Sequence, residues 1–112
     1  MSLFSEYVKE RLGDEIIEHE DAFATFRFIE DGNISSVYIV DIYVRPHFRN
    51  AKVASSLADE ITKIAKERGC KRMIGTVASN AKNATQSIMV LIGYGMDFYK
   101  STNEGLIFKK EL

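Results

Sequence analysis

Residues 40–57 read Val40-Asp41-Ile42-Tyr43-Val44-Arg45-Pro46-His47-Phe48-Arg49-Asn50-Ala51-Lys52-Val53-Ala54-Ser55-Ser56-Leu57, and the fold turns on this stretch. Its first residues close a longer run, Ser35 to Val44, that is nearly continuous in β-branched and aromatic side chains. Such a run predicts a central strand covered on both faces. Arg45-Pro46 ends it, since proline has no N–H to give to a ladder. The period then changes. Val53, Ala54, Leu57, Ala58, Ile61, Ile64 and Ala65 recur at helical spacing, with Asp59, Glu60, Lys63, Lys66 and Glu67 on the opposite side. This predicts a helix over 50–68, stopped at Gly69. A strand that feeds a helix through a short turn presents the positive end of the helix dipole, which suits a phosphate. The same arrangement also serves as a plain strand–loop–helix connection.

Outward from this stretch the signals are shorter. Leu3, Phe4, Tyr7, Val8 and Leu12 share one helical face before Gly13, which predicts an opening helix over 3–12 packed on its own domain. Glu15 to His19 and Ala22 to Ile29 read as strands, the second alternating Phe23/Thr25/Arg27 with Ala24/Phe26/Phe28. Glu30-Asp31-Gly32-Asn33 marks a turn into the central strand. Downstream, 72–77 reads as a second central strand, 79–84 as a loop and 85–92 as a short helix ended by Gly93. Residues 96–100 and 105–110 form a closing hairpin. The order gives an α/β (α+β) protein with a mixed, mostly antiparallel sheet flanked by helices, in a single domain spanning 1–112.

Composition narrows the classes further. The 112 residues carry 15 Lys+Arg against 16 Asp+Glu, so the basic excess that a polyanion binder shows is missing. Nucleic acid is therefore not an expected partner. No apolar run approaches the roughly 20 residues of a membrane span, so no membrane is expected either. Cys70 is the single cysteine, and no Cys/His cluster supplies structural zinc ligands, so no metal is expected. Glu6, Lys9, Glu10 and Arg11 interrupt the apolar character of the N-terminus, which predicts a cytoplasmic protein.

The motifs resemble those of the GNAT superfamily of acetyl-CoA-dependent N-acetyltransferases. That family's signature is a strand ending in V-x-P-x-x-R, followed by a turn of the form R/Q-x-x-G-x-G/A that opens a long helix. Val44, Pro46 and Arg49 stand in register with it, followed by Asn50-Ala51-Lys52-Val53-Ala54. Tyr38-Ile39-Val40-Asp41-Ile42-Tyr43-Val44 is similar to the strand before the signature in several branches. Residues 83–94 resemble the family's N-x-x-A…Y-x-x-x-G-F segment, and 105–112 its final strand. The likeness is good from about Ser36 onward and loose before it.

The resemblance implies acetyl transfer from acetyl-CoA, as co-substrate, to a primary amine on a small molecule or a protein. It implies that Ile42, Tyr43 and Val44 pair with the pantetheine arm, and that Arg49, Asn50, Ala51, Lys52, Val53 and Ala54 hold the pyrophosphate. Pairing of two copies is common in the family, so a homodimer is compatible with it. Three positions depart from the pattern: Lys52 replaces the signature glycine, Val40 a glutamate base, and Met89 a tyrosine acid. Neither Val40 nor Met89 carries a proton for chemistry. Asp41, the ionisable group within the strand, and Tyr43 are the catalytic candidates in their place. Asp41 serves equally as a partner for neighbouring backbone, and Tyr43 as a packing residue. Tyr94 fills an aromatic slot, His47 a turn, His19 a variable strand end, and Cys70 has no neighbouring base. The alternative function is a catalytically degenerate GNAT-fold module that binds acetyl-CoA or a protein without turnover.

Overall fold

Switches of hydrophobic period along the chain build six strands and three helices among the described residues. The computed structural model describes residues 2–49, 51–78, 82 and 84–112, with backbone alone at 31, 51 and 84–87. Asn50, Asn83 and 79–81, the core of the expected loop, lie outside the described residues. The chain runs α1 (Leu3–Tyr7, continued as a π-helical turn Val8–Leu12), β1 (Glu15–Glu18), β2 (Ala22–Asp31) and β3 (Ile34–Val44). After a 3-10 turn at Pro46–Phe48 come α2 (Ala51–Glu67), β4 (Arg72–Ala78), α3 (Ala84–Gly93), β5 (Asp97–Thr102) and β6 (Gly105–Glu111). The strands form one sheet in the order β1-β2-β3-β4-β6-β5. Among the described residues its single parallel pair is β3 with β4, because α2 carries the chain back across the sheet between them. The mixed, mostly antiparallel α/β sheet is thus the one the sequence predicts.

Faces follow from the alternation. Ala22, Ala24 and Phe26 of β2 stand beside Val44, Ile42 and Ile39 of β3, and together with Val37, Met73, Val77 and Phe108 they meet Leu57, Ile61 and Ala65 of α2 in one core. α3 joins the same side, with Leu91 against the Gly75 position and the Tyr94 hydroxyl donating to Asp59 of α2 at 2.6 Å. The opposite face presents Phe23, Thr25 and Arg27 of β2. Here α1 covers β1 and β2: Ser5 and Val8 are buried, and Phe4 meets Phe23 edge-on at 5.3 Å.

Two expectations need correction. The apolar side of α1 does not sink into the domain: Leu3 is 83% exposed, Tyr7 52%, and Phe4 and Leu12 stay open as well. For Leu12 the change from α to π spacing is the reason, because an i+5 repeat places Gly13 rather than Leu12 in line with the buried Val8. β3 is central but not covered on both faces. Ser36, Val37 and Ile39 are buried, whereas Val40, Asp41 and Tyr43 are exposed, because α1 is too short to reach β3.

Candidate active site

β3 and β4 part company halfway along. Their parallel ladder joins Ser36 with Arg72 through Ile39 with Gly75 and then stops. β3 continues to Val44 while paired to β2, and β4 continues to Ala78 while paired to β6. Between Val40–Val44 and Thr76–Ala78 the two halves of the sheet splay into a slot with no ladder across it.

A bulge opens the slot. Thr25 pairs with Asp41 but Phe26 pairs with Ile39, so Val40 is the extra residue. A bulge bends its strand and re-aims the side chains that follow. Asp41 accordingly sits exposed on the face opposite α2, beside Thr25, and is not the buried charge that the apolar run around it suggested. Tyr43 lies on that same face. It is 43% exposed, stacks on Phe23 at 5.7 Å and carries the Arg49 guanidinium 5.4 Å from its ring centre.

Beyond Val44 the turn is fastened twice. The Phe48 N–H donates to the Arg45 carbonyl at 2.8 Å, and Arg49 Nε donates to the Val44 carbonyl at 2.8 Å. Arg45 is tied back to the residue before β2 through its N–H to the Asp21 carbonyl and its guanidinium to the Asp21 carboxylate. These contacts set the N-terminal end of α2 at the open end of the slot. Its first turn holds no acidic residue and includes Lys52, so nothing in that turn offsets the positive end of the dipole. Arg45 and Arg49 stand on the connection that leads into it. The ends of β3 and α2 thus offer an unpaired strand edge and a positively charged helix start side by side. Ile42, Tyr43, Val44, Arg49, Lys52, Val53 and Ala54 all belong to this corner, as does the backbone of Ala51, while Asn50 lies outside the described residues.

Other candidates stand apart. The Tyr94 hydroxyl is committed to Asp59 and also lies 3.2 Å from Thr62 Oγ1; burial first, then its bond to Asp59, pushes its pKa up. Met89 is 68% exposed on α3. His19 pairs with Glu60 of α2 at 2.6 Å, and His47 is exposed in the 3-10 turn. Cys70 is buried, and burial raises its thiol pKa, the reverse of a reactive thiolate. No group of three or more His, Cys, Asp or Glu among the described residues is arranged to hold a metal, and no described helix is long and apolar enough to cross a membrane. Two partners escaped the sequence reading: Phe23, whose alternation placed it on the Tyr43 face, and Asp14, which is buried with Oδ1 2.7 Å from Arg27 Nε. Nothing in the Gly13-Asp14 dipeptide marks that carboxylate as buried.

The acetyltransferase (GNAT) family model matches residues 12–86, which include the slot and the start of α2. The chain belongs to the GNAT family. No curated protein sequence matches it. Among solved structures, the GNAT fold recurs in the Thermoplasma acidophilum PaiA N-acetyltransferase in complex with coenzyme A, at 16% identity and TM-score 0.75, over 98% of this chain and 69% of that one. A Listeria monocytogenes GNAT acetyltransferase gives 19% identity and TM-score 0.64, over 82% of this chain and 58% of that one. An anti-CRISPR protein gives 16% identity and TM-score 0.68, over 87% of this chain and 97% of that one. The chain therefore spans only 58% of the Listeria GNAT enzyme's length, yet nearly the whole of the anti-CRISPR protein is covered.

Proposed function

We propose that this GNAT chain transfers an acetyl group from acetyl-CoA to a primary amine. The carrying observation is the unladdered edge of Val40–Val44 beside the acid-free first turn of α2. On this reading the β3 edge pairs with the pantetheine arm, and residues 49–54, with Lys52 as a cation, hold the pyrophosphate. Acetyl-CoA supplies the activated carbonyl. The amine nitrogen bonds to that carbon as the carbon–sulfur bond breaks. An ammonium acceptor first gives one proton to water through Asp41; of the two N–H protons left, one leaves for the sulfur and the other stays on the amide. Tyr43 positions the strand end through Phe23 and Arg49. Alignment of the two reactants supplies much of the rate, which is why Val40 and Met89 do not preclude turnover.

The same reading makes the protein a single-domain, cytoplasmic enzyme with no nucleic-acid or membrane partner. A homodimer is compatible with it. A second reading, a module that binds acetyl-CoA without turnover, is favoured by two observations: Met89 stands where the family acid is expected, and the Tyr94 hydroxyl is committed to Asp59.

Calorimetric titration of CoA and acetyl-CoA into wild type and Lys52→Gly tests the first reading. Binding by wild type supports it, whereas binding by the variant alone refutes it. Thiol release from acetyl-CoA across an amine panel then separates turnover from mere binding. An unchanged rate in Asp41→Asn removes Asp41 from the proton path.

A further inference from the structure

We infer that two copies of this chain pair through the free edge of β1, antiparallel about a two-fold axis, so that their sheets run on as one. The inference goes beyond acetyl transfer and does not rest on it. β1 is the outermost strand on its side of the sheet. The His19 N–H donates to the Ala22 carbonyl at 2.8 Å, and the ladder then keeps one register, from Glu18 with Phe23 to Glu15 with Phe26. Antiparallel pairs alternate, so Ile17 and Glu15 turn their backbone groups toward β2, whereas Ile16 and Glu18 turn theirs outward. No backbone bond among the described residues reaches those outward N–H and C=O groups. An edge left straight and bare is a template for another strand. The opposite edge of the sheet is guarded, because β5 carries a register shift between Phe98 and Lys100 and a lysine beside it.

Three observations select a second copy as the added strand. First, a cavity of about 320 Å³ lies before this edge, lined by Ile16 and Glu18 and by Ser2, Ser5 and Lys9 of α1. α1 stands over the β1–β2 pair, with Phe4 against Phe23 and the Ser2 hydroxyl donating to Glu18. Its serine side therefore faces the edge. A strand added there lies about 4.8 Å from β1, and if it bears its own α1 the two helix axes stand about 10 Å apart, the spacing of packed helices. Second, the register that uses every outward group is self-complementary. It sets Ile16 opposite Glu18 of the second copy, Glu18 opposite its Ile16, and Ile17 opposite Ile17 on the core side of the sheet. Third, the charges exchange. The Asp14 N–H donates to the Val8 carbonyl at 3.4 Å, which brings Lys9 toward the Ile16 end of β1, while Ser2 holds Glu18 at the other. On this side of α1 Lys9 is the cation and Glu6 and Glu18 are the carboxylates, and the Lys9 ammonium has no partner among the described residues. The two-fold axis carries Glu18 of each copy to the Lys9 end of the other. A foreign strand shares the backbone bonds but not this exchange. The slot lies beyond β3, so pairing leaves it open in both copies.

Sedimentation of the whole chain over a concentration series tests the inference, and a dimer that dissociates on dilution is expected. Hydrogen exchange places the contact: the Ile16 and Glu18 amides slow as the dimer forms, while the Ile17 amide, bonded to β2, is slow throughout. Ile16→Pro removes one outward N–H and no bond to β2, and is expected to raise the dimer dissociation constant at least about tenfold. Lys9→Glu and Glu18→Lys, both at exposed positions, keep the test decisive even should the proline variant fail to fold. Each alone is expected to weaken self-association at least about tenfold, and an equimolar mixture to recover the wild-type constant within about threefold, since the mixed dimer has opposite charges at both ends. A monomer at every concentration overturns the inference. So does a dimer whose Ile16 and Glu18 amides stay fast, or a mixture no tighter than its separate variants. None of these readouts involves acetyl-CoA, so a failure of acetyl-CoA binding tells against the acetyl-transfer reading alone.

Discussion

Arg49→Met isolates what holds the strand end to the start of the long helix. Arg49 bonds the Val44 carbonyl through Nε at 2.8 Å and lies over the Tyr43 ring at 5.4 Å. Methionine keeps most of the apolar stem and removes both contacts. A hydrogen bond from a charged donor contributes about 1.5 kcal/mol at the low end, and an exposed cation–π contact about 0.5 kcal/mol. Arg49 is exposed, so solvent screening brings the sum down to about 1–1.5 kcal/mol. In a domain of this size that lowers the melting temperature by about 4–6 °C. The larger effect falls on the cofactor. If the turn must be ordered before the pyrophosphate is held, the same free energy weakens acetyl-CoA binding by up to about tenfold. Calorimetric titration and a thermal melt on one preparation read both. Arg49→Lys keeps a charge near the ring but lacks the planar fork that reaches the carbonyl, and is expected between the two. A melting temperature within about 1 °C of wild type with an unchanged dissociation constant would refute the reasoning.

Further outcomes follow from the same geometry. Gly105 sits at φ +155° where β6 closes on the tip of β4, and a Cβ there would come 2.2 Å from the Val77 carbonyl oxygen. Gly105→Ala is expected to cost more than about 2 kcal/mol in urea unfolding, and a smaller loss would show that β6 yields easily. Tyr94 has its pKa raised above the ordinary 10.0 by burial and by Asp59. The folded state therefore holds that proton longer than the unfolded chain, so its contribution is full below about pH 10 and fades as the pH rises toward the folded value. The stability gap between wild type and Tyr94→Phe should narrow across that interval, and a gap that widens contradicts the assignment.

The sequence made some of this architecture legible and hid the rest for identifiable reasons. The passage from Val44 through Pro46 into α2 was readable because period, proline and motif agree there. The openness of Asp41 and Tyr43 was not, because a run of β-branched and aromatic residues looks the same whether a helix covers its second face or not. Which strands a helix lies over decides that, and the spacing of residues along one strand does not carry it. The extra residue at Val40 is equally silent, since valine suits a bulge no better than a regular strand position. The divergence of β3 from β4 beyond Gly75 was equally hidden, since no motif states where a ladder stops. The Arg49 bond to Val44 and the Phe23 stack on Tyr43 needed register, which no pattern of one strand supplies.

The short ladder between β3 and β4 has a mechanical consequence. Among the described residues, a ladder of four residue pairs, Ser36–Arg72 to Ile39–Gly75, joins the three strands on one side of the sheet to the three on the other. The sheet thus behaves as two leaves on a narrow seam, with helices bridging one side. A guest that enters the gap as a temporary strand breaks no host hydrogen bond on the way in, and its departure leaves none to re-form. Traffic through the gap is therefore decoupled from the strength of the sheet, and hydrogen exchange should show it: amides on the seam stay slow throughout, while those of 40–44 that face the gap rather than β2 slow only with a guest in place.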